Sequence, residues 1–154
     1  MAAANVCAGG VAQMNHPLLD CQVNEAPVAN IVYPHGEIDL STVPILRGAL
    51  DEAVALGRHV IVDLTDVTFI DSTGFREFLI HRRVCRENDR LMVLANPRDR
   101  VRHVIETLNF FQMIPVFPSM NAAQDSLKGV PLPADRRSAG STSRDDRPRV
   151  RPPA

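Results

Sequence analysis

The chain has no tryptophan and a single tyrosine in 154 residues. The aromatic platforms on which single-stranded nucleic acids stack are therefore nearly missing. An excess of either charge is missing too: 17 Lys and Arg stand against 18 Asp and Glu, a formal net charge of −1. So balanced a chain has no general field to draw in nucleic acid or an anionic membrane, and neither is expected as a direct partner. No run of about 20 apolar residues occurs, the length a helix needs to span a bilayer. The apolar start MAAANVCAGGVAQMN lacks the positive residues and long hydrophobic stretch of a signal peptide, which also removes a lipoprotein reading of Cys7. Cysteine is scarce: Cys7, Cys21 and Cys85 are odd in number and form no Cys-x-x-Cys pair. Such usage fits reduced thiols and a cytoplasmic protein. Phosphate-cradling loops of the Gly-x-x-x-x-Gly-Lys or Gly-x-Gly-x-x-Gly type are also missing, so no nucleotide cofactor is expected.

What is present is enough apolar sequence for one core of ordinary domain size. Residues 1–15 read as a flexible leader. Leu18–Val23 and Val28–Tyr33 read as strands joined by Asn24-Glu25-Ala26-Pro27, a hairpin composition. Gly36-Glu37 reads as a break before Ile38-Asp39-Leu40. Ile45, Leu46, Ala49, Leu50, Ala53 and Val54 then recur at helical spacing, with Ser41 or Thr42 as cap, Pro44 in the first turn and Gly57 as the stop. His59–Leu64 is a short, nearly continuous β-branched run, as in a central strand covered on both faces. Val67–Ile70 is a further short apolar piece. It leads into a helix from Ser72 to about Arg86, with Phe75, Phe78, Leu79 and Cys85 inward and Arg82, Arg83 and Arg86 at the C-terminal end. Arg90–Ala95 reads as a strand and Pro97 opens another helix. Met113–Phe117 can be only an edge strand because of Pro115, and Asn121–Lys128 forms a terminal helix.

From Gly129 the composition changes to Pro, Arg, Ser and Asp. Residues 129–154 carry six Arg against three Asp, about +3, leaving about −4 for the rest. With little to bury, this tail is expected to be disordered. The order of elements predicts one α/β domain over residues 16–128. It has a mixed sheet of four or five strands with helices packed mainly on one face.

The candidate chemistry lies in Asp71-Ser72-Thr73-Gly74, where a strand ends and a helix begins. A structural role is ready to hand, since Asp, Ser and Thr are all good helix N-caps. A regulatory role uses the same geometry: a helix N-terminus favours an anion, and so accommodates a phosphate on Ser72. An aspartic-protease reading fails because an extra residue separates Asp71 from Gly74. A Gly-x-Ser-x-Gly nucleophile reading fails because position 70 is Ile. His16, His35, His59, His81 and His103 are scattered. His81 and Cys85 lie four apart on one helix, but no second pair completes a metal site.

Gly36-Glu37-Ile38-Asp39-Leu40-Ser41-Thr42 and Val67-Thr68-Phe69-Ile70-Asp71-Ser72-Thr73-Gly74 together resemble STAS domains, in particular the bacterial anti-sigma factor antagonists. Val62-Asp63-Leu64-Thr65 between them is similar to a strand of that family. The resemblance spans about residues 16–128. It implies a STAS-like fold and a non-enzymatic partner switch that needs no cofactor. In that cycle the unphosphorylated protein binds an anti-sigma factor, itself a serine kinase, and so frees a sigma factor. Phosphorylation releases the antagonist, and a phosphatase resets it. Ser72 is then the implied phosphoacceptor, with Thr73 second. Asp39, Ser41, Asp71, Thr73, Gly74, Phe75 and Arg76 form the implied partner surface. Phe75-Arg76-Glu77 departs from the Leu and small residues usual there, which leaves the identity of the kinase open. The alternative function is a STAS scaffold never phosphorylated, as a subunit of a sensory or lipid-transport assembly.

Overall fold

The computed structural model describes residues 18–132. The expected leader and the tail from residue 133 lie outside the described residues. Strand β1 (Leu19–Glu25) turns through Ala26, whose N–H donates to the Ala29 carbonyl at 3.1 Å, into β2 (Ala29–Ile38). The two strands pair antiparallel from Leu19↔Gly36 to Glu25↔Asn30. The expected break at Gly36-Glu37 is instead a register shift inside a continuous β2. Gly36 adopts φ +125°, and a Cβ there would lie 2.0 Å from the Leu18 carbonyl oxygen, so only glycine admits β1 at this point.

Helix α1 (Val43–Ala55) buries Leu46, Ala49, Leu50 and Ala53, as its spacing predicts, while Ile45 faces outward. Strand β3 (His59–Asp63) is buried throughout and pairs parallel with β2. Side chains alternate across it: Val60 and Val62 enter one core and Ile61 the other. Strand β4 (Val67–Ile70) pairs parallel with the far end of β2, ending at Ile38↔Ile70. Helix α2 (Ser72–Glu87), strand β5 (Met92–Ala95), helix α3 (Asp99–Thr107), a 3₁₀ turn (Phe110–Gln112), strand β6 (Val116–Phe117) and helix α4 (Met120–Leu127) complete the described chain.

The sheet runs β1-β2-β3-β5-β6 with β4 set against β2, so among the described residues it holds six strands where four or five are expected. The two-residue β6 is the edge strand next to Pro115. Helices α1, α2 and α3 share the larger core with Val32, Val60, Val62 and Leu94. Helix α4 covers the other face, laying Ala123 and Leu127 on Ala29, Ile31, Ile61, Val93 and Ala95. This α/β arrangement, with three helices on one face and one on the other, leaves the carboxyl ends of the parallel strands free to carry a site.

Candidate functional site

Because β2 and β4 run parallel and stop together at Ile38 and Ile70, the next residues, Asp39 and Asp71, emerge side by side. The Asp71 N–H donates to the Ile38 carbonyl at 3.1 Å, tying the two loops. Asp71 is extended and occupies the N-cap of α2. Its Oδ1 accepts from the Thr73 N–H at 2.9 Å, from the Gly74 N–H at 3.3 Å and from the Thr73 hydroxyl. Two of the orphan N–H groups of the helix start, those of Thr73 and Gly74, are thereby satisfied by one carboxylate. Ser72, the first helical residue, is exposed, and its hydroxyl has no hydrogen-bond partner among the described residues. Gly74 is buried where α2 meets the strand ends. A Cβ on it would lie 2.5 Å from Ile38 and 2.8 Å from Ile70.

The Asp39 loop is built the same way. Asp39 Oδ1 accepts from the Ser41 N–H (2.9 Å), the Thr42 N–H (3.1 Å) and the Ser41 hydroxyl (2.7 Å). The Ser41 hydroxyl, then the Thr42 and Ser41 amides, hold this carboxyl below its ordinary value against the opposing pull of burial. Thr42 takes the N-cap position of α1 without a side-chain capping bond, and the Asp39 carboxylate closes the turn just before the helix. The Thr42 hydroxyl instead donates to the Glu37 carbonyl at 2.9 Å. At the end of β3, Asp63 Oδ1 likewise accepts from the Thr65 N–H at 2.9 Å and from its hydroxyl. The sequence signal is an Asp-x-Ser/Thr triplet following an apolar run, at 39–41, 63–65 and 71–73, one at each of three strand ends; the fourth such triplet, 66–68, leads into β4 instead.

Of the expected partner surface, Asp39, Ser41, Asp71, Thr73 and Gly74 gather with Ser72 at this edge, and Arg76 is exposed one turn along α2. Phe75 does not belong on that surface. It is fully buried, stacked on Phe110 at 4.4 Å between ring centroids and edge-on to Phe78 at 6.0 Å. Glu77 is also turned inward. Arg47 of α1 grips it through two parallel bonds of 2.9 and 3.0 Å, a geometry that lets a carboxylate be buried.

His81 is buried beside it, with Nδ1 3.0 Å from the Glu77 carbonyl and Nε2 2.8 Å from Asp51 Oδ1, so both nitrogens are engaged. Cys85 sits in the core with its thiol pushed up by burial. Burial, then the charge of Asp20, raises Cys21 to about 12. Both thiols are thus kept in the unreactive protonated form. Among the described residues no group of three His, Cys, Asp or Glu side chains could hold a metal ion, and no helix is long and apolar enough to cross a membrane.

The STAS domain model matches residues 20–123, and the chain belongs to this family of non-enzymatic domains. It is distantly similar to anti-sigma factor antagonists. Identity to the anti-sigma-B factor antagonist of Staphylococcus aureus is 32% over 72 residues, 46% of this chain and 67% of that one. The corresponding antagonist of Listeria monocytogenes is 30% identical over 86 residues, 55% of this chain and 75% of that one. An anti-sigma factor antagonist from Mycobacterium paratuberculosis shares the fold with a TM-score of 0.63 at 22% identity, over 71% of this chain and 94% of its own.

Proposed function

We propose that this chain is a cytoplasmic anti-sigma factor antagonist switched at Ser72. It binds an anti-sigma factor that is also a serine kinase, and so frees a sigma factor for transcription. Phosphorylation of Ser72 breaks that complex and a phosphatase restores it. The observation that carries this reading is the contrast between adjacent hydroxyls: Thr73 is engaged by Asp71, whereas Ser72 is exposed and unengaged at a helix start. In the transfer, Ser72 Oγ bonds to the γ-phosphorus of the kinase's ATP and the bond to the ADP oxygen breaks. The hydroxyl proton passes to a base on the kinase. The antagonist supplies only the acceptor, so it needs no cofactor of its own.

The surface offered to the kinase on this reading is Asp39, Ser41, Asp71, Thr73 and Arg76 around Ser72, with the buried Gly74 seating the helix start behind them. A phosphate adds about −1.5 to −2 charges beside the carboxylates of Asp71 and Asp39. Setting that charge into a neutral contact costs about 3 kcal/mol, roughly a hundredfold in affinity. The test is incubation with candidate anti-sigma kinases and ATP, followed by mass mapping and a binding assay. One phosphate on Ser72, none in Ser72→Ala, and loss of kinase binding in Ser72→Glu are expected. A Ser72→Glu protein that binds as tightly as wild type defeats the switch.

A further inference from the structure

Arg76 is the residue of α2 whose surroundings the switch does not yet account for. It lies four residues after Ser72, so the two share one side of the helix with Cβ atoms about 6 Å apart. Helical side chains lean toward the N-terminus, which carries a long residue at position 76 back over the turn that begins at Ser72. Arg76 is exposed and, among the described residues, makes no ion pair or hydrogen bond. The acid next to it is unavailable, because Glu77 is buried and held by Arg47. No acidic residue occupies the first turn of α2, and the Oδ1 of Asp71 is taken up by Thr73 and Gly74. An unengaged hydroxyl and an unengaged guanidinium thus stand one turn apart on an open face.

We infer that Arg76 is a phosphate clamp: once Ser72 is phosphorylated, its guanidinium forks onto the phosphate oxygens and holds them along the outer face of α2. The inference rests on the Ser72 reading above and adds to it a residue that positions the phosphate. Arg76 offsets the repulsion from Asp71 next door, and it fixes where the new charge points. A guanidinium matches two phosphate oxygens at once, which an ammonium does not. The contact is solvent-exposed, so it weakens as salt rises.

The test uses the full chain with phosphoserine installed at position 72 during synthesis, so that no kinase is needed. Phosphorus NMR then follows the second ionisation of the phosphate in wild type, Arg76→Gln and Arg76→Lys. A neighbouring cation favours the dianion, so the midpoint is expected about half a pH unit higher in Arg76→Gln than in wild type, with Arg76→Lys between. The difference shrinks in about 0.5 M salt. The unphosphorylated variants should melt within a degree or so of wild type, which separates a clamp from a structural role. Identical midpoints in the wild type and Arg76→Gln overturn the clamp while leaving the Ser72 switch standing. A failure of every kinase to modify Ser72 strikes the switch and leaves this measurement intact.

Discussion

Helix α2 holds two regions built on opposite principles, though they are only a turn apart. Its first turn carries Ser72 exposed, its hydroxyl without a partner, and Arg76 exposed beyond it. The opposite side of the same helix is sealed: Phe75 and Phe78 have no exposure, Glu77 is clamped by Arg47, and His81 is engaged at both nitrogens. The sealed side fixes the helix against α1 and the sheet. The open side is thereby free of any duty to the fold, and a charge added there meets water and not a packed interior. That division permits a covalent switch on a small domain. On the proposed reading, a phosphate on Ser72 would change what a partner meets with little loss of stability, which amounts to only about 5–15 kcal/mol in a typical domain.

The comparison breaks most visibly at Phe75. Phe75→Ala removes a fully buried ring stacked on Phe110 and should cost about 3–5 kcal/mol in denaturant unfolding. A loss below about 1 kcal/mol would mean the ring is not sealed, and the surface role expected for it would return. Glu77→Gln comes next. It keeps the shape of the buried side chain but uncouples the charge from Arg47, whose own side chain is 51% exposed and can rehydrate. Its loss should fall between that of Phe75→Ala and that of a helix-cap deletion. An unchanged midpoint would show that the fork is solvated and contributes nothing.

Much of this was legible in the sequence because it follows from period. The apolar spacing of Leu46, Leu50 and Ala53 marks α1, and the nearly continuous run His59–Leu64 marks a strand buried on both faces, observed as His59–Asp63. The two Asp motifs were visible as strings. Their adjacency was not, since it depends on β4 pairing in parallel with β2. Gly36 has the look of punctuation in the sequence, but its backbone freedom serves a bulge inside a strand. Glu77 and His81 do not announce themselves as inward residues, because charge suggests a surface. Yet Gly74, Phe78, His81 and Cys85 fall at helical spacing on one stripe, and Glu77 borders it. What neutralises Glu77 is Arg47, 30 positions earlier, and that pairing is set by helix packing alone.

The smallest effects are the sharpest test, because they set Asp71 against its neighbour Ser72. Asp71→Ala removes the cap on two α2 amides and should cost about 1 kcal/mol. Ser72→Ala removes a hydroxyl that holds nothing and should stay within about 0.5 kcal/mol of wild type. Both are read from the same urea titration, with unchanged slopes indicating that the folded state is otherwise intact. Suppose the order reversed, with Ser72→Ala the costlier change. The serine would then be a structural residue whose modification disturbs the helix, and α2 would no longer divide into a sealed side and an open one. The expected order instead leaves Asp71 to hold the helix start in place and Ser72 to present its hydroxyl there, two roles in adjacent residues that one side chain could not fill at once.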